Sequence, residues 1–345
     1  MCIRDRNSGF ISYAVFVSFF PQLIAGPIVH NREMIPQFSD AKNRRINYRN
    51  VSLGLFIFSI GLFKKVAIAD TFAVWATAGF DTATTLQFVE AWVTSLSYTF
   101  QLYFDFSGYT DMAIGLALLF NINLPINFNS PYKATNIQEF WRRWHITLSR
   151  FLRDYLYIPL GGNRYGEIRT YINLLGTFVL GGLWHGAGWT FVFWGFLHGM
   201  ALVIHRAWSK LNFKLWTWIS WMLTFVFVVI AWVFFRATEW SHAIKVLKGM
   251  AGFNGVRLPD VIGVKLPVLH QFGFEFGNSL INIRGTEKTL IWVAVAMLFV
   301  LIFKNTVELR KSFTPSYYSL TITIFCFLTA FFMLNQISEF LYFNF

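Results

Sequence analysis

Apolar stretches, each close to the length that crosses a lipid bilayer, constrain this chain more than any other feature. A helix that spans the hydrocarbon core needs about 20 mostly apolar residues. Several segments approach that requirement, namely 10–29, 51–69, 91–106, 171–185, 189–205, 215–235, 288–303 and 317–334. The sequence therefore predicts an all-α fold, a polytopic protein of transmembrane helices.

Composition supports a membrane protein. The 345 residues are 55% hydrophobic and only 13% charged, whereas a soluble domain carries about 25% charged residues. No polar linker divides the chain, so we predict a single membrane domain over residues 1–345. The net charge of +12 comes from basic loops between apolar stretches, a pattern typical of contacts with anionic lipid head groups. The expected partners are membrane lipids, and not nucleic acid.

The distribution of basic residues predicts an orientation. Segments 30–50 and 121–169 are rich in Lys and Arg, while 71–90 has neither. Basic loops accumulate on the cytoplasmic side, which places 71–90 and about 253–286 outside. Lys64 and Lys65 interrupt an apolar span, and two interpretations stay open. Either the side chains snorkel to the interface, or the helix leaves the bilayer there.

Two segments differ from simple spans. Residues 108–120 are too short to cross alone and open with Gly108, so we expect a re-entrant segment. After the Asn- and Pro-rich run at 121–131, which is unlike a helix, residues 136–158 place aromatic side chains at helical spacing among Arg142, Arg143, Arg150 and Arg153. This pattern predicts an amphipathic helix lying at the cytoplasmic interface.

His185 is the strongest candidate for chemistry. It lies within an apolar, glycine-rich stretch, and an ionisable residue inside a membrane normally faces a cavity or pathway. The alternative is a histidine satisfied by a neighbouring carbonyl in a helix contact. His198 is better interpreted as a packing residue, and His145 has a structural or a functional role with equal support. The remaining histidines, His30, His205, His242 and His270, lie at or beyond the ends of apolar runs.

Other catalytic motifs are absent from the sequence. It contains no phosphate-binding loop, no H-E-x-x-H zinc motif and no G-x-S-x-G nucleophile elbow, and we predict no metal site. A catalytic interpretation therefore rests on His185 as a general base. Asp105 and Asp111 lie in apolar surroundings, where a free carboxylate is costly. They are expected to line a polar cavity or to pair with arginines elsewhere.

Long motifs in chain order resemble the membrane-bound O-acyltransferase family, in particular its bacterial alginate O-acetyltransferase branch. They are SFFPQLIAGPIV (18–29), GLFKKVAIAD (61–70), QLYFDFSGYTDMAIG (101–115), NFNSPYKATNIQEFWRRWHITLSRFLRDYLYIPLGGNR (127–164) and GGLWHGAGWTFVFWGFLHG (181–199). The two signature histidines of the family fall on His145, in RRWHITLS, and on His185, in GLWHG. The resemblance implies that His185 is the catalytic residue and that His145 assists it.

The resemblance also implies a fold and a reaction. The expected fold is a ring of helices around a central funnel in the inner membrane of a bacterium. An acyl thioester, acetyl-CoA or an acyl carrier, would donate an acetyl group from the cytoplasm as a co-substrate, with no bound cofactor. The acceptor would be an exported polysaccharide or a periplasmic partner protein. Arg142, Arg143, Arg150 and Arg153 are candidates for donor binding or for lipid contact, and the candidate cavity-lining residues are Asp105, Asp111, Trp184 and Asn136.

Two rival functions follow from the same histidines. One is a transporter or flippase in which His185 relays protons, although such proteins are expected to show repeat-related halves, which this sequence lacks. The other is a haem-binding electron carrier using His185 and His198. Members of the resembled family carry further helices before the segment that matches 10–29, so we expect this chain to be a truncated member.

Overall fold

The chain is mostly helical, and the computed structural model describes residues 9–23, 25–211, 213–265, 268, 271, 275–334 and 341. The first part contains α1 (Phe10–Ser18), α2 (Asn31–Ser39), α3 (Tyr48–Thr82) and α4 (Phe88–Leu119). Helix α3 runs without a break through two π-helical turns, Lys64–Ala69 and Ala78–Thr82. Short helices α5 (Ile137–Arg143) and α6 (Ile146–Leu152) follow an extended connection.

The remaining helices complete the fold. They are α7 (Gly166–His185), α8 (Trp189–Ser209), α9 (Thr217–Arg236), α10 (Trp240–Met250), α11 (Asp260–Lys265), α12 (Glu287–Ile302), α13 (Thr306–Lys311) and α14 (Tyr317–Phe332). Two short parallel strands, β1 (Arg257–Leu258) and β2 (Glu275–Phe276), pair between α10 and α12. The predicted helical fold class is confirmed.

Helices α3 and α4 pack closely because glycines face each other along their contact. A side chain at Gly108 would lie 2.7 Å from the carbonyl oxygen of Gly61, and one at Gly54 would lie 2.7 Å from that of Gly115. The predicted re-entrant segment at 108–120 is wrong, since α4 continues through Gly108 to Leu119. Here glycine permits close approach of two helices and does not break one.

Lys64 and Lys65 neither snorkel nor mark a helix end. Lys64 Nζ lies 2.6 Å from the carboxylate of Asp111, and Lys65 Nζ lies 2.9 Å from Asp70 and 2.7 Å from Asp105. These side chains are largely buried between α3 and α4. A buried charge is tolerated when it is paired, and the pairing explains how two lysines fit within an apolar helix.

Among the described helices, α3 and α9 are both long enough and apolar enough to cross a membrane, with mean hydropathies of 1.8 and 2.2 in their most apolar windows. The other predicted spans correspond to helices that are shorter or less apolar. The predicted span at 10–29 is wrong, because α1 ends at Ser18 and a short 3-10 turn containing Pro21 follows. Helices α12 and α14 expose large apolar side chains, among them Ile291, Leu298, Phe325 and Phe332.

Candidate functional site

The segment predicted to be an interfacial amphipathic helix is broken in the middle. Helix α5 ends at Arg143, α6 begins at Ile146, and His145 between them adopts left-handed backbone angles, φ 41° and ψ 55°. The prediction of one continuous helix over this segment is therefore wrong. Trp141 and Trp144 are buried and pack against Phe178 of α7 and Trp232 of α9. Their aromatic area is buried by helices and not by lipid.

His145 is held by the connection between α4 and α5. Its Nδ1 lies 3.0 Å from Oδ1 of Asn127, which also accepts hydrogen bonds from the backbone N–H and the hydroxyl of Thr147. The imidazole is 3% exposed and packs edge-on against Phe106, with ring centroids 4.7 Å apart. Its Nε2 is buried without a hydrogen-bond partner among the described residues.

His185 is the last residue of α7. The chain turns away at Gly186, and the imidazole packs against the rings of Trp194 and Phe235 at 5.4 and 5.1 Å. Gly181 and Gly182, which precede it, lie within the helix and do not break it. A side chain at Gly182 would lie 2.3 Å from the carbonyl oxygen of Phe191, so glycine there lets α7 and α8 approach closely.

His145 and His185 line the same small cavity. Its volume is about 20 Å³, and the other lining residues are apolar or aromatic: Leu102, Phe106, Trp141, Trp144, Leu148, Trp194, Trp232 and Phe235. That volume holds about one water molecule. Two histidines 40 positions apart in sequence thus line one small and mostly apolar space, a setting that suits proton transfer between them and a small bound group.

A second, larger cavity of about 690 Å³ lies beside the first. Among the described residues, Trp141 is the one that lines both cavities. The indole N–H of Trp141 donates a hydrogen bond to Nδ1 of the buried His198 at 3.2 Å. His198 therefore acts as the packing residue that the sequence predicted, and it fixes the wall between the cavities.

Arginines line the larger cavity. Arg142, Arg150 and Arg153, three of the four predicted donor-binding residues, are among them. His205 and Arg206 also line it, although the sequence did not indicate them, because they lie at the end of an apolar run more than 50 residues further along the chain. Arg143 does not line this cavity. Its guanidinium bonds to Glu139 and to the carbonyl oxygen of Asn129.

The cavity arginines differ in how strongly they are already paired. Arg150 makes two hydrogen bonds to Glu33, and Arg206 makes two to Glu167. Arg153 bonds to Asp154 and holds the pKa of that carboxyl below its usual range. Arg142 is exposed and has no ion-pair partner among the described residues. It is the cavity arginine whose charge is best available to an anionic ligand.

The four residues that the sequence predicted to line a cavity lie outside the histidine cavity. The described residues that line the histidine cavity do not include Asp105, Asp111, Trp184 or Asn136. The two aspartates pair with lysines, and not with the arginines that were expected. Trp184 is 56% exposed, and the Asn136 side chain caps α5 by accepting from the Glu139 N–H. Each of these side chains is occupied in holding the helices or faces outward.

The chain belongs to the membrane-bound O-acyltransferase family, whose sequence profile matches residues 4–238. Over 255 residues it is 67% identical to a peptidoglycan O-acetyltransferase from Helicobacter pylori, covering 73% of this chain and 48% of that protein. Over 254 residues it is 47% identical to a probable alginate O-acetylase from Pseudomonas putida, covering 73% and 51%.

A less similar relative is named for the transfer of a different group. A teichoic acid D-alanyltransferase from Bacillus subtilis is 27% identical over 242 residues, which cover 66% of this chain and 61% of that protein. The chain spans about half the length of the first two relatives. The match to an alginate O-acetyltransferase-like branch of the family is confirmed.

Proposed function

We propose that the full-length protein transfers an acetyl group from a thioester donor to a hydroxyl group of an exported polysaccharide. The observation that carries the proposal is the pair of histidines on one small cavity beside an arginine-lined cavity. Relatives named for O-acetylation of peptidoglycan and alginate support the reaction class. The 67% identity favours peptidoglycan over alginate as the acceptor, directly or through a partner protein.

Acyl transfer from a thioester to a hydroxyl group requires no oxidant or reductant. The acceptor oxygen attacks the thioester carbonyl carbon, a carbon–oxygen bond forms, and the carbon–sulfur bond breaks. His185, as general base, takes the hydroxyl proton, and this proton then passes to the leaving thiolate, which becomes the free thiol. His145 assists from across the cavity. The mostly apolar lining of this space limits the access of water that would hydrolyse the thioester.

The donor enters through the larger cavity in this proposal. Guanidinium groups bind phosphate oxygens well because they offer several donors in a fixed plane, and coenzyme A and the prosthetic group of acyl carrier proteins both carry phosphate. We assign the arginine side to the cytoplasm of a bacterial inner membrane, as the basic loops predict. The helices would form the family's ring around a funnel, with the acceptor reaching His185 from the other side.

Transfer of a labelled acetyl group tests this function. Membranes containing the full-length protein are incubated with [14C]acetyl-CoA or acetylated carrier protein and with isolated peptidoglycan. We expect alkali-labile label in the polysaccharide and stoichiometric release of free thiol. A transporter or flippase would leave the label in the thioester. Absence of transfer from either donor, with the protein folded and present, would reject the proposal.

Arg142 provides a prediction about donor binding. Replacing it with alanine removes an unpaired cation from the large cavity, and a hydrogen bond to a charged group is worth about 1.5–3 kcal/mol. We expect KM for the thioester to rise roughly 10- to 100-fold while kcat changes little. Arg143→Ala is the matched control, since the neighbouring arginine faces away from the cavity. Equal effects of the two substitutions would contradict donor binding by Arg142.

A further inference from the structure

The contacts of Asn127 indicate which ring nitrogen of His145 carries the proton. Its Oδ1 lies 3.2 Å from the backbone nitrogen of Thr147, 2.9 Å from the Thr147 hydroxyl and 3.0 Å from Nδ1 of His145. A backbone N–H can only donate, so the atom facing Thr147 is the amide oxygen and not the nitrogen. An oxygen acceptor in turn requires that His145 Nδ1 carries the proton.

The other ring nitrogen follows from this assignment. A neutral imidazole has one protonated nitrogen, so Nε2 of His145 holds a lone pair. Nε2 is buried and unpartnered among the described residues, on a ring that lines the cavity shared with His185. The lone pair is thus available to a proton of a bound group.

The surroundings of Asn127 make it a rigid support. Its backbone carbonyl accepts from the N–H of Ile146 at 3.0 Å, so Asn127 satisfies the first two N–H groups at the start of α6. Thr147 also accepts from the N–H of Ile28 through its hydroxyl. His145 lies between these contacts with a left-handed backbone, a conformation that persists only when neighbouring contacts enforce it.

We propose that Asn127 is a positioning residue that holds His145 as the Nδ1-protonated tautomer, with Nε2 ready to accept and return a proton during acyl transfer. This inference rests on the proposed function for its consequence but not for its geometry. The titratable group that faces His145 among the described residues is His185, and the other side chains around the cavity are uncharged at neutral pH.

Two substitutions separate positioning from simple structural support. Asn127→Leu has a similar volume but accepts no hydrogen bond, and we expect kcat to fall about 100-fold with KM for the thioester within three-fold. Asn127→Asp keeps every acceptor contact and adds a negative charge, which favours the imidazolium form of His145. Its activity should be retained at high pH, and the acidic limb of the rate profile should move up by about one pH unit.

Controls and an activity-independent measurement complete the test. Asn121→Asp changes a buried asparagine that bonds to Asn50 and two carbonyls elsewhere, and its pH profile should match the wild type. If the Asn127→Leu protein does not accumulate, the pH–rate profile of Asn127→Asp tests the inference. A profile with the same acidic limb as the wild type overturns it. The 15N spectrum of histidine-labelled full-length protein, with His145→Gln to assign the signals, reports the tautomer even if no acetyl transfer occurs. A proton on Nε2 of His145 in place of Nδ1 would refute the role of Asn127.

Discussion

Replacing His185 with alanine in the full-length protein is expected to reduce acetyl transfer by 10²- to 10⁴-fold while leaving the amount of protein in the membrane unchanged. The range is that of a positioned general base. His185 lies at the end of α7 and contacts the cavity through its ring. Its loss removes the proposed proton acceptor but leaves the glycine-mediated contact between α7 and α8 in place. Initial rates with labelled acetyl thioester measure the effect.

A second histidine provides the control for that substitution. His242 lies on α10, and its ring contacts the Thr238 hydroxyl at 3.2 Å. It is not among the described residues that line either cavity. His242→Gln should transfer acetyl at the wild-type rate. A His185→Ala protein that retained more than one-tenth of the wild-type rate would show that another group takes the hydroxyl proton.

Replacing Asp111 with leucine is expected to destabilise the protein strongly. The substitution leaves the Lys64 ammonium buried, with its side chain 8% exposed, and also removes the acceptor of the Thr306 hydroxyl. Breaking a buried ion pair costs about 3–5 kcal/mol. We expect the apparent Tm of the purified full-length protein in detergent to fall by at least about 5 °C.

Removing both charges should restore much of that loss. In the Lys64→Met, Asp111→Leu double variant no charge is left unpaired, and apolar replacement of a buried pair is often neutral. The exposed pair of Arg153 and Asp154 is the comparison, because Asp154→Asn should cost about 1 kcal/mol or less. A double variant as unstable as Asp111→Leu would show that the ion pair itself, and not the avoidance of an unpaired charge, stabilises the contact of α3 and α4.

Local sequence patterns were enough to predict the helices that contain uninterrupted apolar runs. Helices α7, α8, α9, α12 and α14 lie within a few residues of their predicted segments. The histidines stood out because an ionisable group in an apolar stretch is costly. Their presence on one cavity depends on how α6 and α7 pack, and periodicity carries no information about that.

The errors have a common physical origin. A glycine in an apolar run is compatible with a helix break or with close helix packing. Gly108 allows close packing because it faces Gly61 on the neighbouring helix. The left-handed backbone of His145 is enforced by Asn127, whose Oδ1 contacts the His145 ring and accepts from the N–H of Thr147. Likewise, Lys64 and Lys65 in α3 pair with aspartates 47 and 40 residues further along the chain. Each outcome depends on a partner that is distant in sequence.

Trp141 lines both the arginine-lined cavity and the histidine cavity, and the histidine cavity has a volume of about 20 Å³. Under the proposed reaction, a thioester that enters through the larger cavity has to pass this indole to reach His185. The hydrogen bond to His198 opposes that motion. If one reactant comes from each side of a membrane, as proposed, an aromatic ring held in place by a buried histidine would also limit the leakage of ions between the two sides.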